Sequence, residues 1–215
     1  MLKKERFRRF IDYFTTHYPE VQTELNFNNP FELLVAVILS AQCTDKRINQ
    51  ITPALFARFP EAESLAAASV EEVFTYIRSV SYPNNKAKHL VGMGRMLMSD
   101  FGGEIPATLA ELQRLPGVGR KTAHVILSVV YNEPTMAVDT HVFRVSHRLG
   151  LAPLTTTTPL AVEKALVAHI PKALVPQAHH WLILHGRYVC VARSPKCEMC
   201  ALTDFCKYYE KKGQI

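Results

Sequence analysis

Two groups of residues in this sequence are arranged for chemistry. The first lies in LPGVGRKTAHVIL, Leu115 to Leu127, where a proline and two glycines precede an apolar helix and Arg120-Lys121 follow at once. A helix ending at Leu115-Pro116, a Gly-Val-Gly turn and a new helix at Arg120 form a helix-hairpin-helix. Gly117 and Gly119 let the backbone take conformations closed to other residues and bare successive N–H groups at a helix N-terminus. Those amides and the positive end of the helix dipole both favour a phosphate, and Val118 can tuck into the hairpin. Such contacts use backbone and phosphate, so they carry no base sequence information. The competing reading is an ordinary helix corner that uses glycines, and the basic pair directly after the turn weighs against it.

Lys121 has two readings. A single lysine on a helix is ordinarily a solvated surface residue. On the first turn, however, its ammonium meets the positive dipole end, which favours the neutral, nucleophilic amine, and burial would favour it further. Asp139 is either the N-cap of the following helix or, paired with an amine nucleophile, a carboxylate that stabilises developing positive charge or shuttles protons.

The second group is metallic in character. Of five cysteines, four lie in the last 26 residues, Cys190, Cys197, Cys200 and Cys206, spaced C-x6-C-x2-C-x5-C. Four thiolates so close in sequence can close around one centre, and the spacing fits either a tetrahedral zinc or a [4Fe–4S] cluster. Disulfides are disfavoured in a chain without secretory features. The centre either staples a C-terminal loop or takes part in redox chemistry. Arg193, Lys196, Lys207, Lys211 and Lys212 surround it, so the loop also suits phosphates. Cys43 stands apart in an apolar context and reads as a small buried residue.

The elements that must position these groups are helical almost throughout. Phe7, Phe10, Ile11 and Phe14 repeat at helical spacing in an N-terminal amphipathic helix. PFELLVAVILSAQ reads as a buried helix with Pro30 at its first position. Asp45 is expected to cap the next, which Pro53 should kink or restart. Ser69 with Glu72 gives a capping box, and Gly102-Gly103 a C-cap after the helix carrying Leu90, Val91, Met93, Leu97 and Met98. Glu133-Pro134 breaks the helix begun near Arg120. Gly150 closes the helix after Asp139, and Thr158-Pro159 opens another. The GMG at Gly92 to Gly94 lacks a third glycine in register and a preceding strand, which sets aside a nucleotide loop. No run alternates with period two for long, so the expected class is all-α.

Composition fits this picture. At 215 residues and 48% hydrophobic, the chain can fill a real core, and its net charge of +6 favours anionic partners, nucleic acid first and acidic membrane surface second. The N-terminus alternates charge with aromatics and does not read as a signal peptide, and the apolar run FELLVAVILSA is too short to span a bilayer. A soluble, intracellular protein is expected.

LPGVGRKTA, then VDTHVFRV, then C-x6-C-x2-C-x5-C, in that order and separation, resemble endonuclease III, a family of DNA glycosylases and abasic-site lyases, and SAQCTD at Ser40 to Asp45 resembles the same pattern. The likeness covers nearly the whole chain. It implies a two-lobed helix-hairpin-helix glycosylase fold, with a six-helix domain at residues 21–132, an iron–sulfur cluster domain at 1–20 and 133–215, and a cleft between them. It turns the metal choice toward a [4Fe–4S] cluster on Cys190, Cys197, Cys200 and Cys206. Lys121 matches the family's nucleophile and Asp139 its catalytic aspartate. Gln42 matches the residue that fills the gap left by a flipped nucleotide, and Tyr82 the second insertion point. Gly117, Val118, Gly119 and Arg120 match the DNA-binding hairpin.

The implied activity is a bifunctional glycosylase and lyase of base excision repair, removing oxidised pyrimidines and cutting 3′ to the abasic site through a lysine Schiff base. The implied partner is double-stranded DNA with damaged bases or abasic sites. We expect a monomer without membrane partners, cytoplasmic, and associated with the nucleoid if bacterial. Two departures, SYPNN before Lys86 and His124 in place of the family's common asparagine, bear on lesion range. They keep open a specialist for mismatched or deaminated bases of the same superfamily. A non-catalytic iron–sulfur DNA-binding protein is the alternative from another class.

Overall fold

In the computed structural model, which describes residues 1–212, every regular element among the described residues is helical. The Lys212 side chain lies outside the described residues. No described helix is long and apolar enough to cross a membrane. The chain divides into two compact units, Thr23–Tyr131 and Met1–Gln22 with Asn132–Ile215. Each has its own apolar core.

The unit Thr23–Tyr131 is built around α2 (Pro30–Ser40), in which Phe31 through Leu39 are all buried. Leu33, Leu34 and Leu39 are fully enclosed, each burial contributing about 1.5–3 kcal/mol. Asn29 caps the helix by accepting from the Glu32 amide, and Pro30 occupies the first turn as expected. In α3 (Asp45–Arg58) the cap is Thr44, whose hydroxyl accepts from the Arg47 amide, so Asp45 is the first helical residue and not the cap. Pro53 does not restart this helix, which is continuous.

α4 (Ala62–Ala67) and α5 (Val70–Ile77) follow. Ser69 caps α5, but the reciprocal half of the expected box is diverted: the Glu72 carboxylate pairs with Arg58 at 2.6 Å. α6 (Pro83–Phe101) begins earlier than its apolar repeat suggests and ends at Gly102 and Gly103, both in the left-handed region. Here the GMG glycines have a packing role. A Cβ on Gly94 would lie 2.9 Å from the Ala66 amide nitrogen, so α4 and α6 cross with backbone nearly touching. α7 (Leu109–Leu112) and α8 (Arg120–Tyr131) complete the unit.

In the other unit, α1 (Lys3–His17) buries Phe7, Phe10 and Phe14. α9 (Thr140–Leu149), α10 (Pro159–Val167), α11 (Val175–Tyr188) and α12 (Lys207–Lys212) follow. Trp181 of α11 stacks on Phe14 at 5.5 Å and meets Phe10 edge-on at 6.0 Å, while its indole N–H donates to the Tyr18 carbonyl. Burying two or three rings together adds aromatic geometry to simple area burial. Gly150 closes α9 in the left-handed region and Thr158 caps α10, both as expected. Arg6, almost fully buried, donates to the Phe205 carbonyl and pairs with Glu210, tying the first helix to the last segment.

Candidate DNA-lesion site and metal centre

The hairpin is a short helix, a tight turn and a long helix. α7 ends at Leu112, four residues before the proline, and the chain turns through Gln113, Arg114 and Leu115, whose amides bond back to Leu109, Glu111 and Leu112 carbonyls. Val118 donates to the Leu115 carbonyl and is buried, so it does anchor the hairpin. Pro116 packs on Gly92 of α6.

The two glycines serve different ends. Gly117 has φ +83, and a Cβ there would stand 3.0 Å from the Cβ of His89, so both conformation and space demand glycine. Gly119 is not in the left-handed region, and a Cβ there would meet nothing within 4 Å. The expectation that both need glycine for conformation is corrected: at Gly119 a bare backbone faces open space. That is where something outside the chain can approach the first amides of α8, which in any α-helix lack intrahelical acceptors.

Arg120 and Lys121 open α8 and both are exposed. His124, one turn on, is buried.

Two further predicted residues share a backbone peculiarity. Gln42 and Tyr82 each have φ near +57, in the left-handed region that non-glycine residues rarely adopt, and both side chains are exposed. The structure brings their loops together. Ser81 donates its hydroxyl to the Gln42 carbonyl at 2.7 Å and its amide to the Cys43 sulfur at 3.1 Å. Cys43 is half-buried and bonded to polar groups, where a small buried residue was expected.

Asp139 belongs to the other unit. It is the N-cap of α9, with Oδ1 accepting from the His141 and Val142 amides, both at 2.8 Å. The carboxylate is half-buried, and its two bonds fall on one oxygen. The cap reading of the sequence therefore holds, and Oδ2 is left out of the cap.

All four predicted ligand cysteines, Cys190, Cys197, Cys200 and Cys206, line one small cavity, and none is in a disulfide. Two 3-10 turns, Cys197–Met199 and Thr203–Phe205, set the spacing of the last three. Among the described residues no three His, Cys, Asp or Glu side chains gather tightly enough to hold a single metal ion. Four thiols lining one cavity fit a centre that takes a thiolate from each of them. Burial pushes the Cys200 and Cys206 thiols up, and neighbouring cysteines add to it. Holding four thiolates there calls for the compensating positive charge of a metal centre.

Sequence reasoning passed over the residues that brace this loop. Arg148 of α9 donates to the Val191 and Ala192 carbonyls at 2.8 and 2.9 Å and approaches the Cys190 sulfur at 3.4 Å. Arg144, one turn earlier, donates to the Cys190 and Gly186 carbonyls. The signal available was two arginines at i, i+4 on an amphipathic helix. Their targets lie more than 40 residues away, which no local pattern reveals.

Residues 35–172 match the family described as HhH-GPD superfamily base excision DNA repair protein, and residues 190–206 match the iron–sulfur binding domain of endonuclease III. Hairpin, capped Asp139 and four-cysteine loop therefore define a helix-hairpin-helix DNA repair protein carrying a [4Fe–4S] cluster. Endonuclease III of Rickettsia conorii is 45% identical over 94% of this chain and 95% of its own length, and that of Escherichia coli K12 is 45% identical over 90% of each. A solved structure of a trapped covalent intermediate between an endonuclease III and DNA matches with TM-score 0.92 and 43% identity, covering 99% of this chain and all of that one. The chain belongs to the endonuclease III family. Its activity is that of a base excision repair DNA glycosylase with abasic-site lyase activity.

Proposed function

We propose that this chain removes oxidised pyrimidines from duplex DNA and cuts 3′ to the resulting abasic site, with Lys121 as the nucleophile. The observation that carries this reading is Lys121 itself: an exposed ammonium on the first turn of α8, two residues beyond a glycine that faces open space. A phosphate seated on the amides at Gly117, Val118, Gly119 and Arg120 would register one strand against that turn. The damaged nucleotide leaves the stack, a motion that costs least for a poorly stacked base. Gln42 and Tyr82, exposed and held in the left-handed region, would fill the space it leaves.

The chemistry then proceeds in balanced steps. The neutral Lys121 amine attacks the sugar C1′, and the base departs with the electron pair of the glycosidic bond and takes up a proton. The nitrogen then loses a proton and the C1′–O4′ bond breaks, O4′ taking up a proton, so that the opened sugar is left as a Schiff base, which acidifies the C2′ proton. Its loss expels the 3′ phosphate by β-elimination, and water then releases the lysine. The Asp139 carboxylate would stabilise positive charge at the sugar or relay the proton.

Cys190, Cys197, Cys200 and Cys206 would hold the [4Fe–4S] cluster, which when bound supplies four cross-links within residues 190–206. The side chains of Arg148 and Arg144 keep that loop's carbonyls satisfied without it. We further infer a monomer that works in the cytoplasm on chromosomal DNA.

Borohydride trapping on a duplex with one defined oxidised pyrimidine tests the reading. Wild type should give a covalent adduct and Lys121→Ala none. No adduct from wild type, or an undiminished one from Lys121→Ala, would overturn the assignment of the nucleophile. Adducts on abasic duplex but no excision of oxidised bases would redirect the specificity to mismatched or deaminated bases.

A further inference from the structure

The loops that present Gln42 and Tyr82 are joined by a small polar clasp that the chemistry above does not use. Lys86, in the first turn of α6, is almost fully buried, and its Nζ donates to the Leu39 and Ala41 carbonyls at 2.9 and 2.7 Å, at the C-terminus of α2. A cation there meets the negative end of the helix dipole. Its backbone amide donates to the Tyr82 carbonyl at 3.1 Å, so one residue grips both loops. Ser81 adds the two bonds to Gln42 and Cys43 already described, and the Cys43 sulfur lies 4.0 Å from the Lys86 ammonium.

Burial pulls the Lys86 amine below its ordinary value, opposed by the Cys43 sulfur. Burial raises the Cys43 thiol, but the bonds with Ser81 and the charges of Lys86 and Arg47 outweigh it. Two non-glycine residues in the left-handed region persist only where their surroundings over-determine them. Apart from the Lys86 bond to the Leu39 carbonyl, every bond of the clasp falls on or beside one of those two residues.

We infer that Ser81, Cys43 and Lys86 are positioning residues for base extrusion, locking the Gln42 and Tyr82 loops at a fixed separation so that both side chains enter the duplex together. This rests on the reading that Gln42 and Tyr82 insert into DNA. A rigid pair of wedges matters most when a stacked base must be displaced. It matters least on an abasic site, where no base resists.

The test uses the cluster-loaded protein and a duplex with one thymine glycol opposite 2-aminopurine, whose fluorescence rises when stacking is broken, followed by stopped flow in the first turnover. In Ser81→Ala and Lys86→Met, the fluorescence rise and base excision should fall about fivefold, the effect of one typical hydrogen bond. Lyase activity on preformed abasic duplex should stay within about twofold of wild type, as should Ser81→Thr in every assay, because it keeps the hydroxyl.

Ser81→Ala with a wild-type rise and wild-type excision overturns the proposal. So does an equal loss of lyase and excision, which marks a merely structural role. If Lys86→Met does not fold, Ser81→Ala and Cys43→Ala decide by the same criteria. Gln42→Ala and Tyr82→Ala must each lose the rise. If they keep it while the clasp variants lose it, the insertion reading fails and the proposal with it.

Discussion

The hairpin glycines can be separated experimentally, because one answers to the fold and the other, in the proposed mechanism, to the ligand. Gly117→Ala places an L side chain at φ +83, which costs about 1–2 kcal/mol. Its Cβ would also stand 3.0 Å from the His89 Cβ, an atom fixed to the α6 backbone that cannot swing aside, adding about 1 kcal/mol. The total, on the order of 2–3 kcal/mol, corresponds to a melting temperature lower by about 5–10 °C for a chain of this size. Gly119→Ala meets neither penalty, so its melting temperature should match wild type. Its methyl group, however, enters the open space over the first turn of α8, and affinity for duplex DNA should fall about tenfold. Thermal melts read against fluorescence-anisotropy titrations at one fixed salt concentration measure both. Gly117→Ala as stable as wild type, or Gly119→Ala with undiminished affinity, would refute the division of roles.

Other consequences follow from packing, metal and charge. Gly94→Ala should destabilise by about 1–2 kcal/mol in chemical denaturation, because a Cβ 2.9 Å from the Ala66 nitrogen strains the α4 and α6 crossing by more than the roughly 1 kcal/mol that alanine's helix preference returns. Cys200→Ala should abolish the broad absorption near ~400 nm of the iron–sulfur centre and lower the iron content of the purified protein. His180 is held down to about 4 by burial and then by the charge of Arg187, against an ordinary value of 6.5. The unfolded chain binds that proton more readily than the folded one, so its contribution is complete above pH 6.5 and lost as pH falls toward 4, on the order of 3 kcal/mol. Denaturant melts between pH 7 and 4.5 should therefore show a shallower loss in His180→Leu than in wild type.

Features set by short-range chemistry were legible in the sequence. The Gly-Val-Gly turn, the Asp139 and Thr158 caps and the Gly150 stop depend on residues within one helical turn of each other. The four cysteines were legible because metal ligation compresses ligands into a short segment. What the sequence concealed depends on partners distant along the chain. Glu72 left its capping box because Arg58 lies beside it in space, and Gly94 turned out to be a contact surface for α4.

Nothing in the local sequence marks Lys86, yet its ammonium closes on carbonyls 45 and 47 residues away. Gly119 was misjudged for another reason: a glycine kept for the space it leaves open cannot be told from one kept for its conformation until the atoms around it are known. The exposure of Lys121 was equally beyond reach, since the same local sequence is compatible with a buried or an exposed first-turn lysine.

The central claim is that the Lys121 amine forms the covalent bond to DNA. Reducing the complex with borohydride on abasic duplex, digesting with trypsin and locating the sugar adduct by mass spectrometry tests it directly. The adduct should lie on Lys121, with tryptic cleavage after that residue blocked. An adduct on Lys86, on the N-terminal amine or on any other lysine would contradict it.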